Sequence, residues 1–137
     1  MSWKDDAFEL AALVSQVTSV AASETWLTDR LVEFRYVPPN SDAAQISLVV
    51  SQAAVIFSAG RGTRAELDGP ATSASEVEVM ARAVTNGRFS EVISKRHVTF
   101  ELRPEGLPAI SGRSSYLDRK LPAPYGEIVY APYRAPA

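Results

Sequence analysis

His97 is the only side chain in the sequence whose ordinary pKa lies near neutrality, so acid–base chemistry would start there. With a strand over this stretch, His97 shares a face with Thr99 and Glu101 at two-residue spacing, and a carboxylate so placed could orient the ring. Ser94, Ser111, Ser114 and Ser115 are hydroxyls that such a base could activate. No Gly-x-Ser-x-Gly elbow and no Ser-x-x-Lys pattern singles one of them out. A solvated histidine on a strand face accounts for His97 without catalysis.

Paired carboxylates occur at Glu66/Asp68 and Glu76/Glu78. Glycosidase chemistry needs two carboxyls converging across a cleft, and spacing alone does not establish that. A shared strand face explains the first pair, and the opening turn of a helix explains the second. Gly60-Arg61-Gly62-Thr63-Arg64 is the one glycine-rich element, and its amides with two arginines could cradle a phosphate. It lacks the spacing and the lysine of a P-loop and the third glycine of a dinucleotide fingerprint. Between two strands it reads more simply as a hairpin turn.

The last 34 residues differ in kind. Six of the nine prolines lie at 104 or beyond, and four of the five tyrosines lie at 116, 125, 130 and 133. The proline content predicts a segment, 104–137, laid over the domain in extended form. Its basic and aromatic side chains include Arg113, Tyr116, Arg119, Lys120, Tyr125, Tyr130, Tyr133 and Arg134. Tyrosine and arginine are enriched at protein interfaces because each offers a large, partly apolar area with a polar end. Arg113, Tyr116, Arg119, Tyr125 and Tyr130 are therefore the expected partner-binding residues. The competing reading is that the tyrosines pack this segment onto the domain.

The elements that must position these residues follow from periodicity. Trp3, Ala7, Leu10, Leu13, Val14, Val17 and Ala21 fall on one helical face, which predicts a helix over 3–22 opened by Ser2 and Asp5. Phe8 projects to the other side, as a second packing contact or a partner anchor. Residues 31–37 alternate as a half-buried strand, stopped by Pro38-Pro39. Residues 45–50 and 53–59 are rich in β-branched side chains and read as strands, although a helix over 42–57 fits the same apolar residues. A short strand over 63–67 follows. A second helix is predicted over 76–86, with Ser75-x-x-Glu78 as capping box, Val77, Met80, Ala81 and Val84 as its buried stripe, and Asn86-Gly87 as its stop. Strands at 89–94 and 98–103 then form a hairpin. Ser115-x-x-Asp118 could cap a single helical turn, and 126–130 a final strand.

Composition closes off whole classes of function. The chain of 137 residues contains no cysteine, which removes disulfides, zinc-thiolate sites, iron–sulfur clusters and cysteine nucleophiles together. A single histidine rules out multi-histidine metal sites, so neither a cofactor nor a metal is expected. Residues 1–102 carry nine basic and thirteen acidic side chains, and residues 103–137 carry five and three. Neither part has the concentrated basic patch of a nucleic-acid binder. No apolar run is long enough to cross a bilayer, and the first residues carry acids where a secretory leader is basic, so a cytoplasmic location is expected.

Gly60–Leu67, the run Ala83-Val84-Thr85-Asn86-Gly87-Arg88-Phe89-Ser90-Glu91 and Val98–Leu102 are similar to small actinobacterial proteins of the polymorphic-toxin immunity kind, over about a third of the chain. The resemblance implies a protein that blocks a cognate toxin by covering its active site, and it assigns no residue a role. Taken together, the expected architecture is one α+β domain over 1–137, with two helices packed on a curved antiparallel sheet of about five to seven strands. The expected function is non-enzymatic protein binding. The alternative is a small enzyme or small-ligand-binding domain with a pocket between helix and sheet.

Overall fold

The computed structural model describes residues 2–134; residue 1 and residues 135–137 of the expected domain lie outside the described residues. The chain begins with helix α1 (Trp3–Thr18). The Ser2 hydroxyl accepts a hydrogen bond from the Asp5 amide (3.3 Å), and the Asp5 carboxylate accepts one from the Ser2 amide. This reciprocal box satisfies two of the amides that every helix start leaves free. Ala7, Leu10 and Val14 are buried, as the periodicity predicts. The helix stops four residues earlier than predicted. Thr18 Oγ1 donates to the Val14 carbonyl and accepts from the Val20 amide, while Ser19 takes the left-handed conformation that ends helices (φ 57°).

The residues released by that stop enter β1 (Ser23–Thr28), which the periodicity did not indicate because none of its six residues is buried. It opens an antiparallel meander with β2 (Leu31–Tyr36), β3 (Ile46–Val50), β4 (Ala54–Ala59) and β5 (Thr63–Asp68). Residues 42–57 thus contain strands and not the alternative helix. The register Leu48↔Phe57 and Val50↔Val55 puts Phe34, Leu48, Val50, Val55 and Phe57 on one fully buried face. A helix over the same residues would give up this alternation, which β-branched side chains favour. Tyr36 joins the sheet to α1 by donating to the Ala11 carbonyl (2.7 Å), and burial pushes its hydroxyl up to about 12.

Helix α2 (Ala74–Thr85) buries Val77, Met80, Ala81 and Val84, the predicted stripe, and packs beside α1. Its start differs from the predicted capping box at Ser75. Two bonds to the Gly69 carbonyl, from Thr72 and Ser73, start the helix two residues early, so Ser73 is the cap residue and Ser75 lies inside the helix. The Ser73 side chain makes no capping bond, and its hydroxyl is buried without a partner.

A second antiparallel sheet follows, from β6 (Phe89–Ile93), β7 (His97–Leu102), β8 (Ile110–Ser115) and β9 (Gly126–Val129), in the order β8-β7-β6-β9. The fold is α+β as expected, but with nine strands in two sheets of five and four instead of one sheet of five to seven. The two strands absent from the sequence reading are β1 and β8. Strand β8 replaces part of a serine-rich stretch, and Gly112 makes it fit: a Cβ there would stand 2.6 Å from the Phe100 ring. The helical turn considered at 115–118 does not form. The Tyr116 amide donates instead to the Arg96 carbonyl (2.6 Å), which holds the chain against the β6–β7 turn.

The two sheets meet at β5 and β8 without a ladder between them. One hydroxyl spans the seam: Ser114 Oγ accepts from the Arg64 amide (3.0 Å) and donates to the Arg64 carbonyl (3.2 Å). Beyond β9 the chain is stitched down. Ala131 donates to the Asp42 carbonyl, Tyr133 to the Thr85 carbonyl, and the Tyr133 hydroxyl to the Ala44 carbonyl. Arg134 and Asn40 hold the Asp42 carboxyl below the usual carboxylate range. No helix among the described residues is long and apolar enough to cross a membrane.

Candidate partner-binding site

The Gly60–Arg64 element is the hairpin turn between β4 and β5, and its amides do converge on an anion. That anion is the protein's own Glu91. Its carboxylate is 1% exposed and receives the amides of Arg61 (2.8 Å), Gly62 (3.1 Å) and Thr63 (2.9 Å), the Thr63 hydroxyl (2.7 Å) and the Tyr130 hydroxyl (2.5 Å). Five donors to one buried carboxylate leave no room for a phosphate at this turn. Gly60 is required here on two counts: φ is +64°, and a Cβ would stand 2.3 Å from Glu91 Oε1. The Arg61 guanidinium leaves the turn and donates to the carbonyls of Pro122 and Pro124, fixing the loop that follows β8.

Tyr116 forms the floor of this end of the molecule. It is 8% exposed, its hydroxyl donates to the Gly62 carbonyl (2.6 Å), and Val98, Ile93 and Leu121 pack around it. The guanidinium of Arg119 lies 5.1 Å from its ring centroid and that of Arg64 lies 5.8 Å away, both within cation–π range. Arg64 and Arg113 line one groove of about 280 Å³ with Ile56, Glu66, Ser114 and Ser115. Arg96 reaches the Leu117 carbonyl, and the Lys95 carbonyl accepts from Leu121. Three separated stretches therefore bring basic residues to one end, with Glu66, Asp68, Asp118 and Glu127 as the acids on the same segments. The ion pairs among the described residues are Glu33–Arg35, Glu78–Arg82, Glu101–Arg103 and Asp42–Arg134. Arg64, Arg113 and Arg119 belong to none of them.

The five expected partner-binding residues separate into two groups. Tyr116 and Arg119 come together, with the exposed guanidinium over the buried ring, while Arg113 is exposed on β8 and joins this end through the groove it lines with Arg64. Tyr125 stands in the same loop, 45% exposed, its hydroxyl donating to the Leu121 carbonyl. Tyr130 lies apart and half-buried. Its ring stacks on Phe89 (5.1 Å between centroids, 9° between planes), and burial beside Glu91 raises its hydroxyl pKa. The reading of residues missed Arg64 as part of this end because fifty residues separate it from Ser114, its partner across the seam.

The remaining chemistry candidates stay apart. His97 is half-buried at the start of β7, opposite Ser115, and its outer face carries Thr99 and Glu101 as the alternation predicts. It does not line the groove of Arg64 and Arg113. Glu66 and Asp68 point outward from β5, and Glu78 pairs with Arg82. Among the described residues, no three acids and histidines are grouped as a metal site would need. A second groove, of about 370 Å³, lies between α2 and the β5–β8 seam, lined by Ala65, Leu67, Val79, Met80 and Ile110 with Ser75 and Glu76 at its rim. Comparison with protein-family models, with curated proteins and with solved structures yields no match to this chain.

Proposed function

We propose that this protein is a non-enzymatic protein-binding domain that docks an acidic surface of a protein partner on the end built around Tyr116. The observation that carries the reading is the placement of Arg64 and Arg119 over the buried Tyr116 ring, with Arg113 beside Arg64 in the adjoining groove and none of the three in an ion pair among the described residues. Unpaired arginines on a rigid base meet carboxylates at small entropic cost, and charge complementarity speeds encounter. The similarity to toxin-immunity proteins supplies the kind of partner, a toxin domain whose active site is covered.

Affinity capture from the source organism, run in parallel with wild type and with Arg113→Glu/Arg119→Glu, tests the reading. An acidic protein retained by the wild type and lost with the charge-reversed variant, at equal melting temperature, is the expected result. Equal retention by both proteins refutes it, and capture of nucleic acid in place of protein replaces it. A second reading, a small-ligand-binding domain, is favoured by the apolar groove between α2 and the sheets, whose size is that of small-molecule sites.

A further inference from the structure

Strands β5 and β8 each have one paired side and one open side. Among the described residues, β5 forms a backbone ladder only with β4, and β8 only with β7, so each has an edge without a ladder at the seam. Free edges are templates for another strand unless something covers them. At one end Ser114 clips the edges together through Arg64. Beside that clip lies the groove over α2, where Leu67 and Ile110 are half-buried beside Val79 and Met80.

Strand alternation gives this cleft two chemically different sides. Ala65 and Leu67 of β5 and Ile110 of β8 turn inward toward α2 and make an apolar floor. Arg64 and Arg113 turn outward, beside Ser115 and Glu66, and make a basic rim. An added strand has the same two-residue period. Its inward side chains would meet the apolar floor and its outward ones the two guanidinium groups.

We propose that the β5–β8 cleft takes an extended segment of the acidic protein partner, added along the β5 edge, with apolar side chains on the floor alternating with carboxylates at Arg64 and Arg113. This rests on the docking reading above and names the part of the partner that is gripped. Backbone pairing along β5 supplies affinity, and the floor and rim supply selectivity. The open edge from Ala65 to Asp68 covers about four residues, or roughly 13 Å of strand.

The probe is a terminally blocked hexapeptide alternating leucine and glutamate, titrated into the full chain labelled with ¹⁵N. The expected result is shift changes at 65–68, 110–113 and 79–80, with slower amide exchange along β5. A leucine–lysine hexapeptide should bind at least tenfold more weakly. Ile110→Glu and Arg113→Glu, each checked for an unchanged melting temperature, should each weaken the glutamate peptide at least tenfold. Arg30→Glu, in the exposed turn between β1 and β2, should leave it unchanged. No shift at the two edges at a peptide concentration of about 1 mM overturns the proposal. So does equal binding of the lysine peptide, or shifts confined to the Tyr116 end. If the peptide fails while Arg113→Glu/Arg119→Glu still loses the captured protein, the cleft proposal falls and the docking reading stands.

Discussion

Glu91→Gln tests whether the Gly60–Arg64 turn is built around a buried carboxylate. The two side chains have nearly the same shape, so the change isolates hydrogen bonding and charge. One carboxylate oxygen takes the amides of Gly62 and Thr63 and the Thr63 hydroxyl; the other takes the Arg61 amide and the Tyr130 hydroxyl. Glutamine keeps one acceptor and turns the other into a donor. Its least costly orientation keeps the triple acceptor and lets the Tyr130 hydroxyl reverse, leaving the Arg61 amide unpaired. An orphaned buried donor costs about 1–3 kcal/mol, and the surviving bonds weaken because their acceptor is no longer charged. The expected loss is about 3 kcal/mol, a large part of a total that is usually about 5–15 kcal/mol. With an m-value of about 2 kcal/mol/M, the urea midpoint falls by about 1.5 M. Amide exchange at Arg61, Gly62 and Thr63 should lose protection in the variant. Tyr130→Phe keeps the stack on Phe89 and removes one donor, so it should cost about 1 kcal/mol and couple to Glu91→Gln in a double-mutant cycle. A loss below about 1 kcal/mol for Glu91→Gln would refute the reasoning, because no buried carboxylate with five donors can be neutralised so cheaply.

Ser73→Ala should be neutral or slightly stabilising in the same urea assay. Removing an ordinary N-cap hydroxyl costs about 1 kcal/mol, but the Ser73 hydroxyl is buried without a partner. Stability should also fall as pH rises above about 10, the ordinary tyrosine value. Tyr36, Tyr130 and Tyr133 all have raised values in the fold, through burial first and, for Tyr130, through Glu91 as well. Their protonated forms are thus favoured by folding. That contribution is whole below about pH 10 and is lost through about pH 12 for Tyr36 and beyond for the other two. Urea midpoints across this range, with tyrosinate absorbance at each pH, check it; a flat midpoint would contradict it.

Both helices, the meander strands with an apolar face, and the β6–β7 hairpin were legible from periodicity, because each buries one face or stripe. Strand β1 was not, since none of its residues is buried and alternation has nothing to report. Strand β8 was hidden for another reason. Its sequence, Ile-Ser-Gly-Arg-Ser-Ser, has little β-propensity and is held by its register on β7 and by the fit of Gly112 to Phe100. The two sheets are joined at their seam by the Ser114 hydroxyl on the Arg64 backbone, a pairing that no local pattern encodes. The tail was legible as a class of residues, but its division was not. Arg113 and Arg119 look outward, while Tyr130 is spent on Glu91 and Phe89.

That division decides which substitutions can report on binding. The Tyr116 hydroxyl holds the Gly62 carbonyl in the same turn whose amides hold Glu91, and its ring carries Arg64 and Arg119. Truncating Tyr116 therefore disturbs the turn, the seam and both guanidinium groups together, and lost affinity in that variant would say nothing about contact with a partner. Arg113 and Arg119 are exposed and belong to no ion pair among the described residues, so reversing them removes charge and, for Arg119, one exposed contact with the Tyr116 ring, but no buried support. The base under Arg64 and Arg119 is fixed from below by the carboxylate and from the side by Arg61 on two proline carbonyls. Loosening that base with Glu91→Gln should weaken a partner held by Arg64, whose backbone continues directly from the turn, more than one held by Arg119. Less ordering cost is saved when the arginine's own backbone is no longer held in advance.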